Sequence, residues 1–173
     1  MTRLATAAPA ARQMWKSFAL AGSVFAMDMV TKSTVVAIVE YGESHVWLPV
    51  LNIVHVMNRG AAFSFLHNAG GWQRPFFVLI ALAASALLVV LMRREATSPV
   101  ERLAFGLILG GALANMTDRL VRGAVVDWID LHWGPHHWPA FNVADMGIML
   151  GAAAIIVNEI RRKKSAVSLD RTR

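Results

Sequence analysis

Between Phe76 and Met92 the chain reads FFVLIALAASALLVVLM, a run without a single charge that stops against Arg93-Arg94. A helix needs about 20 apolar residues to cross a hydrocarbon layer of about 30 Å. In that layer every backbone N–H and C=O has to be satisfied internally, which leaves the helix as the natural form of such a run. Three more apolar segments flank it, so the spacing predicts helices over about 15–39, 74–93, 101–121 and 140–160. Composition agrees: 56% of residues are hydrophobic and 16% charged, against about 25% charged in soluble domains. The expected fold class is an all-α membrane protein. It has four transmembrane helices with a small extracytoplasmic β-sheet, or cradle, and an outer loop.

The cations give the orientation. Arg3, Arg12 and Lys16 precede the first segment, and Arg93, Arg94 and Arg102 lie between the second and third. Arg161, Arg162, Lys163, Lys164, Arg171 and Arg173 follow the fourth. A four-pass topology puts all of these on one side, and the positive-inside rule makes that side cytoplasmic. Both termini are therefore expected inside, as a tail over 1–14 and a basic tail over 163–173, around one four-helix membrane-spanning domain over 15–162. The first segment carries Asp28 and Lys32 and offers no small-residue cleavage site at Glu40-Tyr41, so it reads as a retained anchor and not a signal peptide. A basic chain can bind nucleic acid, but that needs a basic face. Here the cations sit in short clusters between apolar runs, and no nucleic-acid partner is expected. Trp15, Trp47, Trp72, Trp128, Trp133 and Trp138 fall near segment ends or in the outer regions, as in an interfacial aromatic belt.

Helices in lipid associate through close backbone approach rather than through a hydrophobic drive. Gly106, Gly110 and Ala114 lie four apart and mark one packing face of the third segment, and Gly147 and Gly151 repeat the device in the fourth. Asp118 continues the first of these faces by one turn, with Asn115 and Arg119 as an adjacent polar stripe. Asp118 also reads as an ordinary helix-end acid paired to Arg119 or Arg122. The outer stretch VWLPVLNIVHVMNRGAAFSFL is rich in β-branched residues and reads as a small sheet. Within it, Asn58-Arg59-Gly60 carries a turn signal that favours a hairpin; the other reading has Gly60 admitting a bound peptide and Asn58 hydrogen-bonding it.

Three acids stand out in VVDWIDLHWGPHHWPAFNVAD, the stretch from Val125 to Asp145. Asp127 follows the third segment, Asp145 opens the fourth, and an outer loop returns the chain to the same membrane face. Ionisable groups near membrane depth are costly and mark function by default. Two carboxyls in one low-dielectric site tend to share a proton, and such a pair can activate water and protonate a leaving amine. From the spacing alone, catalysis, a proton relay in a transporter, and ordinary surface acids stand level, and Asp127 is not distinguished from Asp130 or Asp118. Nor do Asp28 and Lys32, one helical turn apart, require more than mutual neutralisation.

At these residues a resemblance enters. DMVTK (Asp28–Lys32), MNRGAAFS (Met57–Ser64), GGALANMTDRLVRGAVVDWID (Gly110–Asp130) and FNVAD (Phe141–Asp145) resemble, in order and in topological place, the motifs of the lipoprotein signal peptidase, or signal peptidase II, family. The likeness covers about residues 15 to 162. It implies an aspartic endopeptidase of the bacterial inner membrane that cuts prolipoproteins before a diacylglyceryl-modified cysteine. It also implies a cleft near the periplasmic face, reached by membrane lipid from the side and occupied by the antibiotic globomycin. By the family's pattern Asp127 and Asp145 are the catalytic pair, and Asn58, Gly60, Asn115, Asp118, Arg119 and Asn142 line or support the site. Ala114 departs from the glycine usual there.

No metal or other cofactor is expected. The chain has no cysteine, Gly134-Pro135 breaks the helix that His132 and His136 would need to share, and no His-Glu-x-x-His motif occurs. The expected state is a monomer. The rival from another class, a four-helix transporter or channel subunit, would need polar residues along the second segment, where only Ser85 stands.

Overall fold

The computed structural model describes residues 7–60, 71–94 and 97–170, with side chains from residue 14 to residue 165 of these. Among these residues four helices form: α1 (Ala7–Ile38), α2 (Gln73–Arg93), α3 (Pro99–Val121) and α4 (Val143–Asp170). Four strands join them, β1 (Ser44–Leu48), β2 (Leu51–Asn58), β3 (Val125–Trp133) and the two-residue β4 (His136–His137). They lie in the order β1-β2-β3-β4, with every pairing antiparallel. The strands follow the C-terminal ends of α1 and α3 and precede the start of α4, so they gather at one end of the bundle.

Among the described residues, three helices are long and apolar enough to cross a membrane, over Met14–Ile38, Gln73–Arg93 and Val143–Ser165. The chain is a membrane protein. α3 is not among the three, because it carries Glu101, Arg102, Asp118 and Arg119. Its position accounts for that composition: α3 packs against α1, α2 and α4 alike. A helix surrounded by protein does not need the apolar circumference that lipid demands.

Local chemistry fixes where α3 begins. Ser98 caps it, accepting from the Glu101 backbone N–H at 3.2 Å while the Glu101 carboxylate accepts from the Ser98 N–H at 2.8 Å, with Pro99 in the first turn. Such caps contribute on the order of 1 kcal/mol. Arg102 is buried and donates to the Met92 and Arg94 carbonyls, at 3.2 and 3.0 Å, closing the end of α2.

The small-residue faces meet as their spacing predicts. A methyl group on Gly106 would lie 2.5 Å from the Ser17 carbonyl oxygen, and one on Gly110 would collide with the Ala21 carbonyl. Gly111 stands in the same way against the Ala144 carbonyl, and Gly151 against that of Ala104. α3 is thus seated backbone to backbone on both α1 and α4. Ala114, on the same face, is fully buried.

The structure differs from the sequence reading in several places. The helical course of α1 starts at Ala7 and that of α4 runs to Asp170, through segments expected as tails. Nothing in their sequence breaks a helix except Pro9, which is tolerated in a first turn. Asn58-Arg59-Gly60 is not a hairpin turn: β1 and β2 are joined at Pro49-Val50, and Asn58 ends β2. Val125–Trp133, expected as an outer loop, is the strand β3, which pairs with β2 in a register that sets Asn52 opposite Asp130 and Val56 opposite Asp127. Its two acids, Asp127 and Asp130, stand three apart and break the period-two pattern by which a strand is read. The Ala61–Ser64 part of the second motif lies outside the described residues.

Trp15, Trp47, Trp72, Trp133 and Trp138 are exposed, as an interfacial belt requires, whereas Trp128 is half-buried.

Candidate active site

The return of the chain after β3 brings the two acids together. Phe141 pairs back onto β3, its N–H donating to the Ile129 carbonyl at 3.1 Å and its own carbonyl accepting from Trp128 and Ile129 at 3.0 and 2.9 Å. The next residue, Asn142, is fully buried. Its side-chain amide donates to Asp127 Oδ1 at 2.7 Å, and its carbonyl oxygen accepts from the Asp145 backbone N–H at 2.9 Å. One amide therefore joins the carboxyl on β3 to the first turn of α4.

Asp127 has a second oriented donor, and the Asp145 carboxyl has one of its own. Asn58, at the end of β2, donates to Asp127 Oδ2 at 2.9 Å, and its own carbonyl oxygen accepts from the Gly60 N–H at 3.0 Å. Asn115, on α3, donates to Asp145 Oδ1 at 2.8 Å. Arg119, one turn beyond, donates to the Gly60 carbonyl at 2.9 Å and the Asn115 carbonyl at 3.2 Å, with its guanidinium 4.9 Å from the centre of the Phe77 ring. Its Nε is buried without a partner among the described residues, so the guanidinium has a donor in hand for a ligand. Asp118 lies behind these groups, fully buried, paired with Lys32 at 3.0 Å and with Arg122, and accepting from the Val126 N–H at 3.1 Å. The structure thus brings Asp127, Asp145, Asn58, Gly60, Asn115, Arg119 and Asn142 to one place, with Asp118 directly beneath.

Asp130 belongs elsewhere. It accepts from Asn52 at 2.8 Å and meets His137 Nδ1 at 2.9 Å, on the β2-β3-β4 surface. His132 stacks on His137, with ring centroids 5.1 Å apart. These residues hold the sheet, and the spacing of the acids in sequence could not have separated Asp130 from Asp127.

Electrostatics mark Asp127 as the unusual acid. Only 3% of its surface is exposed. Burial disfavours the charged carboxylate, and the neighbouring Asp145 charge disfavours it further. Hydrogen bonds from Asn58 and Asn142 and the positive charge of Lys32 offset part of this, leaving the Asp127 carboxyl with a pKa raised to about 7. A carboxyl that holds its proton up to neutral pH, beside a second carboxyl, is the pattern of an acid–base pair.

Comparison with known proteins decides the family. The model of signal peptidase (SPase) II matches residues 20–161. The chain belongs to the signal peptidase II family. A lipoprotein signal peptidase of Paraburkholderia phymatum is 47% identical over 143 residues, covering 83% of this chain and 86% of that protein. One from Ralstonia nicotianae is 49% identical over 136 residues, 79% of each chain. A solved bacterial membrane enzyme superimposes with a TM-score of 0.79 at 31% identity, over 87% of this chain and 90% of its own. The chain is accordingly a membrane peptidase, and the transporter reading falls away with its family membership.

Lys32 and Asp28 were missed as site residues. DMVTK entered the family likeness as a motif, but its spacing accounts for a local pair and says nothing of what lies across the bundle.

Proposed function

We propose that Asp127 and Asp145 are the catalytic pair of an aspartic endopeptidase that cuts prolipoproteins before the diacylglyceryl-modified cysteine. Removal of signal peptides from lipoprotein precursors is the activity of the family to which the chain belongs. The observation that carries the aspartic assignment is the Asn142 amide, which holds the Asp127 carboxyl and the Asp145 backbone at 2.7 and 2.9 Å.

At neutral pH the pair holds one proton. The ionised carboxyl takes a proton from a water molecule as its oxygen attacks the scissile carbonyl, and the protonated carboxyl gives its proton to the leaving amine. Asn58, Asn115 and Asn142 can only donate from the atoms they turn toward the pair. Asp127 is held at both oxygens and Asp145 at Oδ1, so each carboxyl keeps a fixed orientation. The Arg119 Nε and the amides supply donors for the oxyanion as it develops. Which aspartate carries the proton is a property of the pair rather than of either residue.

The wider placement follows the charges. The enzyme lies in the bacterial inner membrane and works as a monomer. α3 completes four crossings with both termini in the cytoplasm, and one domain over 15–162 is flanked by the two tails. The sheet and the pair sit near the periplasmic face. A diacylglyceryl group reaches the site from the lipid beside the bundle, and the sheet holds the peptide extended.

Purified protein in detergent, given a precursor with and without the diacylglyceryl group, tests the substrate assignment. Release of the signal peptide from the lipid-modified precursor alone is expected. Equal cleavage of both forms would remove the lipid from the recognition element.

A further inference from the structure

Behind the pair, Lys32 on α1 is completely buried with no surface exposed. Its ammonium group lies 2.6 Å from Asp28 Oδ2, 3.0 Å from Asp118 Oδ2 and 2.8 Å from Asn115 Oδ1. The ammonium thus has three oxygens around it, hydrogen-bonded to Asn115 and ion-paired with Asp28 and Asp118. The two acids reach further. Asp28 Oδ1 accepts from the backbone N–H of Ala144, at 2.8 Å, and Asp118 Oδ2 accepts from that of Val126, at 3.1 Å. Ala144 immediately precedes Asp145, and Val126 immediately precedes Asp127. One cation thus binds two carboxylates, each of which grips the residue just before one member of the pair.

The contact with Asn115 adds orientation. A primary amide presents a carbonyl oxygen on one side and an NH2 group on the other. With an ammonium at Oδ1, the flipped amide would set NH2 against NH3+. Lys32 therefore obliges Asn115 to turn its NH2 toward Asp145, where the 2.8 Å hydrogen bond is found.

We infer that Lys32, through Asp28, Asp118 and Asn115, is the positioning residue that sets the separation and orientation of Asp127 and Asp145. The inference rests on reading these two acids as the catalytic pair. Charge is balanced, since Arg122 is paired with Asp118 and the two carboxylates meet two cations. The sequence suggested only a local Asp28–Lys32 neutralisation. The structure uses the pair to join α1, α3, β3 and the first turn of α4 at a single point.

Lys32→Met leaves Asp28 and Asp118 against one cation, and this variant can fail to fold. The informative variant is Asp28→Asn combined with Lys32→Met. It restores neutrality, with Asp118 still facing Arg122, and keeps a carbonyl acceptor at position 28 for the Ala144 N–H. Expected is a cooperatively melting protein with unchanged KM and a kcat lower by roughly 10²-fold, the loss that an ångström of misplacement can cause. A second readout follows from the groups that face Asp127. These are Asp145 and Asn142 at α4, Asn58 on β2, Arg119 on α3 and Lys32 on α1. Removing the one of these cations that rests on α1 lets Asp127 hold its proton more tightly, so the alkaline limb of the kcat/KM profile moves to higher pH.

A double variant with wild-type kcat and pH profile would overturn the proposal. One that does not fold would overturn it too, because it would assign Lys32 to the fold despite balanced charge. Asp127→Asn, assayed beside it, separates the two readings. Cleavage surviving in Asp127→Asn would sink the catalytic pair itself. An inactive Asp127→Asn beside an unimpaired double variant would sink only the positioning role.

Discussion

Asp127→Asn and Asp145→Asn are each expected to lower kcat by roughly 10³-fold or more while leaving the protein folded. A member of an acid–base pair typically supplies about 10²–10⁴-fold, and without either carboxyl neither the deprotonation of water nor the protonation of the amine has a partner. The fold should survive because both positions keep an amide of the same shape. An asparagine at 127 can still accept from Asn142 or Asn58 through its carbonyl oxygen, and one at 145 can still accept from Asn115. Burial even favours the neutral side chain at 127, since burial is the main force that resists its ionisation. The check is signal-peptide release measured with equal amounts of protein shown to melt at the wild-type temperature. Retained turnover in either variant would move the chemistry to another acid, such as Asp118.

The second large effect lies in the packing that presents those acids. Gly110→Val is expected to disrupt the bundle. A Cβ at 110 would strike the Ala21 carbonyl and stand 3.0 Å from both Ala21 Cα and Val24 Cβ. Backbone cannot move aside as a flexible side chain can, so α1 and α3 must separate. Overpacking of this kind costs about 1–3 kcal/mol, and here the consequence extends beyond stability. α1 carries Asp28 and Lys32, and α3 carries Asn115 and Asp118. Parting them pulls Lys32 away from Asp118 and from Asn115, whose amide is then no longer held turned toward Asp145. The melting temperature and kcat should fall together. Gly22→Ala is the matched control, because a Cβ there meets nothing within 4 Å, and it should leave both unchanged. A stable, active Gly110→Val would mean that the two helices tolerate a separation this account forbids.

Much of this architecture was legible in the sequence, for reasons that can be named. The apolar runs gave the helices because lipid imposes a length and a composition. The glycines at spacings of four gave the helix contacts, since close approach in lipid leaves no room for side chains. α3 shows where that logic weakens. Its charges keep it from reading as a simple lipid-facing span, and only its central place, in contact with all three other helices, explains how it carries them. β3 was illegible for another reason. In VVDWIDLHW the polar residues stand where a half-buried strand would need apolar ones, because two of them, Asp127 and Asp130, are buried by hydrogen bonds rather than by hydrophobic contact. At the site, the motifs identified the individual residues, but not the connections between them. Asn58 reads as a turn former, yet it ends a strand and donates to a carboxyl. DMVTK reads as an isolated ion pair, yet its lysine reaches Asn115, 83 positions along the chain. Hydrogen-bond partners distant in sequence leave no periodic trace, so no pattern could have revealed them.

The most direct test of the central claim, that the two acids share one proton at neutral pH and use it to cut the peptide bond, is the pH dependence of wild-type kcat/KM. Burial and the neighbouring Asp145 charge raise the Asp127 pKa to about 7, so the singly protonated pair persists up to that pH and loses its proton above it. At low pH both carboxyls are protonated and the base is lost. The account predicts a bell-shaped profile, with its alkaline limb falling near pH 7. A rate that stays level or rises from neutral to alkaline pH, with the enzyme still folded, would contradict a shared catalytic proton.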